Sequence, residues 1–116
     1  MNRLGNDMQP PNTHEPTCLQ DHGRDFIALL GKSHTLDLLY FLSTQTHSAR
    51  FNELKREIGI TATTLSRRLE DLVIHGLVHR EVYAEVPARV EYFLSEKGET
   101  LGPVLKSVFG WVEQNK

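Results

Sequence analysis

The stretch from Arg50 to Gly76, RFNELKREIGITATTLSRRLEDLVIHG, constrains this chain more than any other. Phe51, Leu54 and Ile58 recur at i, i+3 and i+7, and Leu65, Leu69 and Leu72 repeat helical spacing after them. That is the periodicity of two short amphipathic helices. Gly59 separates the two runs, Ile60 inserts between them, and Thr61 offers a hydroxyl where the second helix needs an N-cap. Two apolar stripes joined this closely must pack at a steep angle, which is the helix-turn-helix arrangement. The outer face of the second helix then carries Thr63, Ser66 and Arg67. Small hydroxyls and an arginine on a short helix suit the major groove of DNA.

The residues that follow sharpen this expectation. Leu77–Tyr83 (LVHREVY) and Val90–Ser95 (VEYFLS) are rich in β-branched and aromatic residues and are separated by Ala84–Arg89, which contains Pro87. Two strand-like runs around a proline-containing loop predict a hairpin. A hairpin directly after a recognition helix is the wing of a winged helix. The order helix, helix, hairpin is far more specific than any one of the pieces. The expected fold is mainly α with a small β-hairpin: a winged helix-turn-helix with N- and C-terminal dimerisation helices.

These residues resemble the HxlR-type winged helix-turn-helix transcriptional regulators. The similarity runs in order through Leu30-Gly31-Lys32, Arg50-Phe51-Asn52-Glu53-Leu54, Ile60-Thr61, Leu65, Arg68-Leu69, Leu72 and Gly76-Leu77-Val78. It continues through Arg80, Val86-Pro87-Ala88-Arg89-Val90-Glu91-Tyr92, Leu94-Ser95-Glu96-Lys97-Gly98 and Trp111, so that it spans about Cys18 to Trp111. The resemblance implies a homodimeric, DNA-binding transcription regulator. One position departs from the family pattern: Ser33-His34 stands where the family usually has Trp after the Gly-Lys pair.

With 116 residues, the chain suffices for one small domain. It holds no apolar run long enough to span a bilayer and no charged-then-apolar leader, so a soluble, cytoplasmic protein without membrane contact is expected. The formal net charge of −2 is unusual for a nucleic-acid binder. From Arg50 to Arg89, seven basic side chains face six acidic ones. Position must therefore matter more than sum, and what affinity there is should depend strongly on salt.

Residues 1–17 hold Gly5, Pro10, Pro11 and Pro16 without apolar period and read as a flexible tail; residues 18–116 read as the DNA-binding domain with its dimerisation helices. A first helix is expected over Asp21–Leu30, ending near Gly31, and a central apolar one over Thr35–Ser43, followed by a polar connection over Thr44–Ala49. The last helix is expected to start after Ser95, a suitable N-cap, and run toward Gln114. Pro103 should bend that helix or mark its true start. Leu101, Val104, Leu105, Val108, Phe109, Trp111 and Val112 cover more than one narrow stripe, and the surplus apolar face is most simply a dimer contact with a second copy.

With Leu65, Leu69 and Leu72 inward, Thr63 and Arg67 point most directly outward, Ser66 and Thr64 flank them, and Arg68 lies further round. Arg67 can donate a bidentate pair to guanine, and the Thr63 methyl can meet a thymine methyl. Outside this motif, Arg67 would be a solvated arginine pairing with Asp71 at i+4. Thr61 caps the helix, whose N-terminal amides can hold a phosphate. Arg50 and Lys55, on the first helix of the pair, are candidates for phosphate contact, and Arg89 for a minor groove or flanking phosphate. The plain alternative for Arg89 is a hairpin ion pair with Glu81 or Glu91. Arg56 and Arg80 are expected to be solvated or paired within the protein. Cys18, the only cysteine, excludes an intrachain disulfide. Its position resembles that of the redox-sensing cysteine in some members of the family, against the reading of an inert lone thiol. His14, Cys18 and His22 are spaced like metal ligands on a helix, but Pro16 interrupts it, and no metal or cofactor is expected.

The sequence thus points to a sequence-specific regulator acting as a homodimer on double-stranded DNA, with residues 61–75 in the major groove, residues 77–95 flanking it, and room for a small-molecule or redox effector. The alternative is a winged-helix protein-interaction module within a larger complex, which would more often show apolar residues on the outward face of 61–75. No phosphate loop, nucleophile elbow or acid-base pair points to an enzyme.

Overall fold

The computed structural model describes residues 21–116; the expected tail, Cys18 and the spaced His14 and Cys18 lie outside them. Two compact units divide the chain between Gly31 and Lys32. The described part of the first is α1 (Asp21–Leu30), closed by a hydrogen bond from the Gly31 amide to the Ile27 carbonyl at 3.0 Å.

The second unit contains α2 (Thr35–Thr44), β1 (Ala49–Arg50), α3 (Phe51–Ile58), α4 (Ala62–Ile74), β2 (Val78–Tyr83), β3 (Arg89–Leu94), α5 (Glu96–Glu99) and α6 (Gly102–Asn115). The helix-turn-helix expected from the leucine spacing is α3 and α4. Gly59 ends α3 in the left-handed region at φ 72°, which glycine adopts without penalty. Leu54, Ile60, Leu65, Leu69 and Leu72 are buried, as the two stripes require. Each fully buried leucine contributes about 1.5–3 kcal/mol relative to exposure, so the stripe outweighs the weak helix propensity of the threonines. Leu38, Leu39 and Leu42 of α2 complete this core.

The sheet is three-stranded and antiparallel, in the order β1-β3-β2. The expected hairpin is β2 and β3, and a short third strand, not foreseen from the sequence, joins it: Ala49 opposes Tyr92 and Arg50 opposes Glu91. Thr44–Ala49 is therefore not connection throughout, and Arg50 stands in β1, immediately ahead of α3 rather than on it. Arg89, expected at the end of the loop, is the first residue of β3 and faces Tyr83. The last helix is two. Ser95 caps α5 by accepting from the Gly98 amide at 3.0 Å, and Pro103 marks the start of α6, where a missing amide costs nothing.

The joint between α4 and the sheet is tight. Gly76 turns the chain at φ 75°. The Ser95 hydroxyl donates to the Gly76 carbonyl at 2.6 Å, and the Ser95 amide to the Leu77 carbonyl at 3.0 Å. Gly98 lies against that same Leu77 carbonyl, leaving no room for a Cβ. No helix among the described residues is long and apolar enough to cross a membrane.

Candidate nucleic-acid interface

Helix α4 begins with Thr61, whose hydroxyl accepts from the Thr64 amide at 3.3 Å. The Thr61 hydroxyl in turn donates to the Thr64 hydroxyl at 3.1 Å, so both side chains are engaged at the helix start. The remaining N-terminal amides point outward with the positive end of the helix dipole. Thr61→Ala is expected to destabilise the protein by about 1 kcal/mol through loss of this cap, read as a lower midpoint in urea at unchanged slope.

Burial along α4 follows the expected phase. Leu65, Leu69 and Leu72 are inside; Thr63, Ser66 and Arg67 are exposed, and Thr64 is half-buried. Arg67 makes no hydrogen bond or ion pair among the described residues. The pairing with Asp71 that would have engaged it is absent among them, because Asp71 Oδ2 takes Lys32 at 3.2 Å and Arg68 at 3.6 Å. The outward face is not uniform along its length. Beyond Arg67 it carries Glu70, Val73 and Ile74, the last 71% exposed. A carboxylate and an apolar side chain disfavour phosphate approach at that end, which leaves the N-terminal half as the polar, uncommitted surface.

Arg68 is held by the protein. Its Nε donates to the Ser33 carbonyl at 2.9 Å, and its guanidinium also pairs with Asp71. Together with Lys32–Asp71, this braces α4 against the turn before α2, where His34 sits in the left-handed region at φ 68°. A non-glycine residue there costs about 1–2 kcal/mol, which the surrounding contacts must offset.

The wing arginine is also engaged. Arg89 pairs with Glu85 at 2.5 Å and Glu91 at 2.9 Å, and lies over the Tyr83 ring at 4.0 Å. Glu91 was one of the two partners that the sequence suggested for it; Glu85 was not. Glu91 also accepts from the Ser48 hydroxyl and stands 4.0 Å from Arg50 Nε. One carboxylate therefore ties β1, the loop before it and the wing together. Desolvation, with Glu81 and Glu91 nearby, pushes the Tyr83 phenol above its ordinary range against the lowering pull of Arg89. Lys55 is exposed without a partner among the described residues, and Arg56 pairs with its neighbour Glu57 at 3.6 Å. Arg80, which the sequence suggested would be solvated or internally paired, is exposed and makes no bond among the described residues.

Among the described residues no group of three or more His, Cys, Asp or Glu side chains is gathered as a metal site would need. An open groove of ≈ 920 Å³ runs between α2, β3 and α6, lined among others by Tyr40, His47, Phe93 and Lys106.

The family model of the HxlR-like helix-turn-helix matches residues 29–116. The chain belongs to that family. It is 41% identical over 91 residues to the uncharacterised HTH-type transcriptional regulator BH0655 of Halalkalibacterium halodurans, covering 78% of this chain and 80% of that protein. The similarity to YybR of Bacillus subtilis, another HTH-type transcriptional regulator, is 46% over 68 residues, 58% of this chain and 54% of that one. Among solved structures, the redox regulator HypR in its reduced form aligns with a TM-score of 0.73 at 35% identity, over 82% of this chain and 93% of that one. A possible HxlR family transcriptional factor from Thermoplasma volcanium aligns at 0.72 and 30%, over 81% and 84%. The chain is thus a DNA-binding transcription regulator with a winged helix-turn-helix, as its α3–α4–β2–β3 order implied.

Proposed function

We propose that the protein binds DNA as a homodimer, with the N-terminal half of α4 in a major groove of each half-site and the wing on the flanking minor groove or backbone. The observation that carries this reading is the exposed Thr63, Ser66 and uncommitted Arg67 on a helix whose opposite face is buried. Thr63, Thr64, Ser66 and Arg67 face base edges; Thr61 with the free amides of the helix start, Arg50 and Lys55 face phosphates. Arg68 and Arg89 reach DNA only by releasing the carboxylates that now hold them. The second copy docks on α6, where Val104, Val108, Trp111 and Val112 form an exposed apolar stripe at helical spacing. The interaction-module alternative finds its apolar outward residues only at the far end of α4, in Val73 and Ile74. A redox input of the kind that the name of HypR refers to would have one thiol to act through in this chain, Cys18.

Binding selection from pooled random duplex DNA near physiological salt tests the reading. The expected product is an inverted repeat with half-sites one helical turn apart, about 34 Å, together with a dimeric mass in solution at micromolar concentration. Recovery of no common sequence, or a monomeric mass, would overturn the two-fold model.

A further inference from the structure

The hairpin sorts its charges by face. Directly opposed residues of an antiparallel pair share a face. Val78, Arg80 and Val82 of β2 therefore stand with Leu94, Tyr92 and Val90 of β3, and Tyr92 with Ala49 of β1. At the end nearest the helices this face is core, with Ala49, Val78, Tyr92 and Leu94 all buried. Toward the wing the cover ends, and Arg80 and Val82 are exposed. Arg80 lies two residues past the buried Val78, about 7 Å along the strand. The other Asp, Glu, Lys and Arg side chains of the two strands, Glu81, Arg89 and Glu91, are on the opposite face. There the one arginine is already neutralised. Arg80 is the single formal charge of β2 and β3 on the core side, and no carboxylate of either strand shares that side with it.

We infer that Arg80 is a phosphate contact of the DNA complex, reaching the backbone from the core-side face of β2, the strand that packs against α4. This rests on the docking proposed above. With the start of α4 in the major groove and the wing alongside, the strand between them follows the sugar–phosphate backbone at the edge of the groove. An anion approaching there meets a guanidinium that no carboxylate pairs with among the described residues, and the guanidinium fork matches phosphate oxygens in pairs. Arg89 differs: a phosphate must displace two carboxylates that are already bonded, so the exchange gains little. The wing cation that counts for affinity is then on the inner face of the hairpin, and the one nearer the tip acts chiefly in holding the hairpin's shape.

The test uses the full chain and two probes, the selected operator duplex and pooled random duplex, with affinity measured across a series of salt concentrations. Wild type is compared with Arg80→Ala, Arg80→Lys and Arg89→Ala, and the melting temperature of each is recorded. Arg80→Ala should weaken both probes by the same factor, roughly tenfold near physiological salt, and lower the slope of log affinity against log salt by about one. Arg80→Lys should keep the slope, because the charge remains. Arg89→Ala should alter the slope less than Arg80→Ala does. If wild type binds and Arg80→Ala matches it in affinity and slope, the assignment is overturned while the docking stands. A loss of affinity that only tracks a fall in melting temperature overturns the assignment as well. A wild type that retains neither probe overturns the docking, and this assignment with it.

Discussion

Gly98→Ala is expected to lower the melting temperature of the protein by about 10–20 °C. Gly98 lies inside α5, where helix propensity alone would favour alanine by about 1 kcal/mol. Space decides otherwise. A Cβ at this position would overlap the carbonyl oxygen of Leu77 and press on the Leu94 side chain at 3.2 Å. The carbonyl is backbone, so it cannot rotate aside, and it also accepts from the Ser95 amide at 3.0 Å. Relief requires moving the α4–β2 turn or breaking the bonds that join it to Ser95. Overpacking of this kind costs about 3 kcal/mol or more against the propensity gain, which leaves about 2–3 kcal/mol of net destabilisation. Gly110, in α6 with open space around its would-be Cβ, supplies the opposite sign: there alanine should raise the midpoint by several degrees, up to about 1 kcal/mol. Thermal unfolding followed by circular dichroism reads both. A Gly98→Ala protein that melts like wild type would mean that the joint is not closed as described.

The second large effect is on binding. Arg67→Ala is expected to weaken the operator complex by about 1–3 kcal/mol, roughly fivefold to 150-fold, and to relax preference at one base position in each half-site. Its melting temperature should stay that of wild type, because Arg67 is exposed and has no partner among the described residues to lose. That combination separates a binding role from a structural one. Arg67→Lys should recover part of the affinity and little of the base preference, since an ammonium cannot make the paired bonds of a guanidinium to one guanine edge. Repeating the binding selection with each variant reads the base preference directly. An Arg67→Ala protein with wild-type affinity and an unchanged selected sequence would show that α4 does not enter the groove by its N-terminal half.

What could be read from the sequence was what repeats along it. The stripe of Leu65, Leu69 and Leu72 is a local pattern, and it was enough to place α4, its buried side and its outward Thr63, Ser66 and Arg67. Caps are local too, which is why Thr61 and Ser95 could be assigned from their hydroxyls alone. The strand β1 is not legible in the sequence, for a physical reason. Two residues carry no alternation, and Ala49 and Arg50 are a strand only because Tyr92 and Glu91, some forty positions on, offer them a ladder. The state of each arginine is likewise a tertiary fact. Arg67 and Arg68 are neighbours of the same type, yet among the described residues one has no bonded partner and the other is bonded to Ser33, thirty-five positions away. Arg80 and Arg89 are told apart only by which face of the sheet the register gives them. Counting charges, which came out nearly even between Arg50 and Arg89, could not separate them.

The shared carboxylate of Glu91 also governs how the surrounding positions respond to change. Ser48, Arg50 and Arg89 draw on the same two oxygen atoms. Remove any one of the three and the oxygens become more available to the other two, so the loss is partly masked. Remove two and the masking fails. Substitutions at these positions should therefore combine to more than the sum of their separate costs, by the coupling energies of about 0.5–3 kcal/mol that contacting residues show. A survey that changes one residue at a time would rank each of them as minor. Of the four residues, only Glu91, on which the other three converge, would stand out in such a survey.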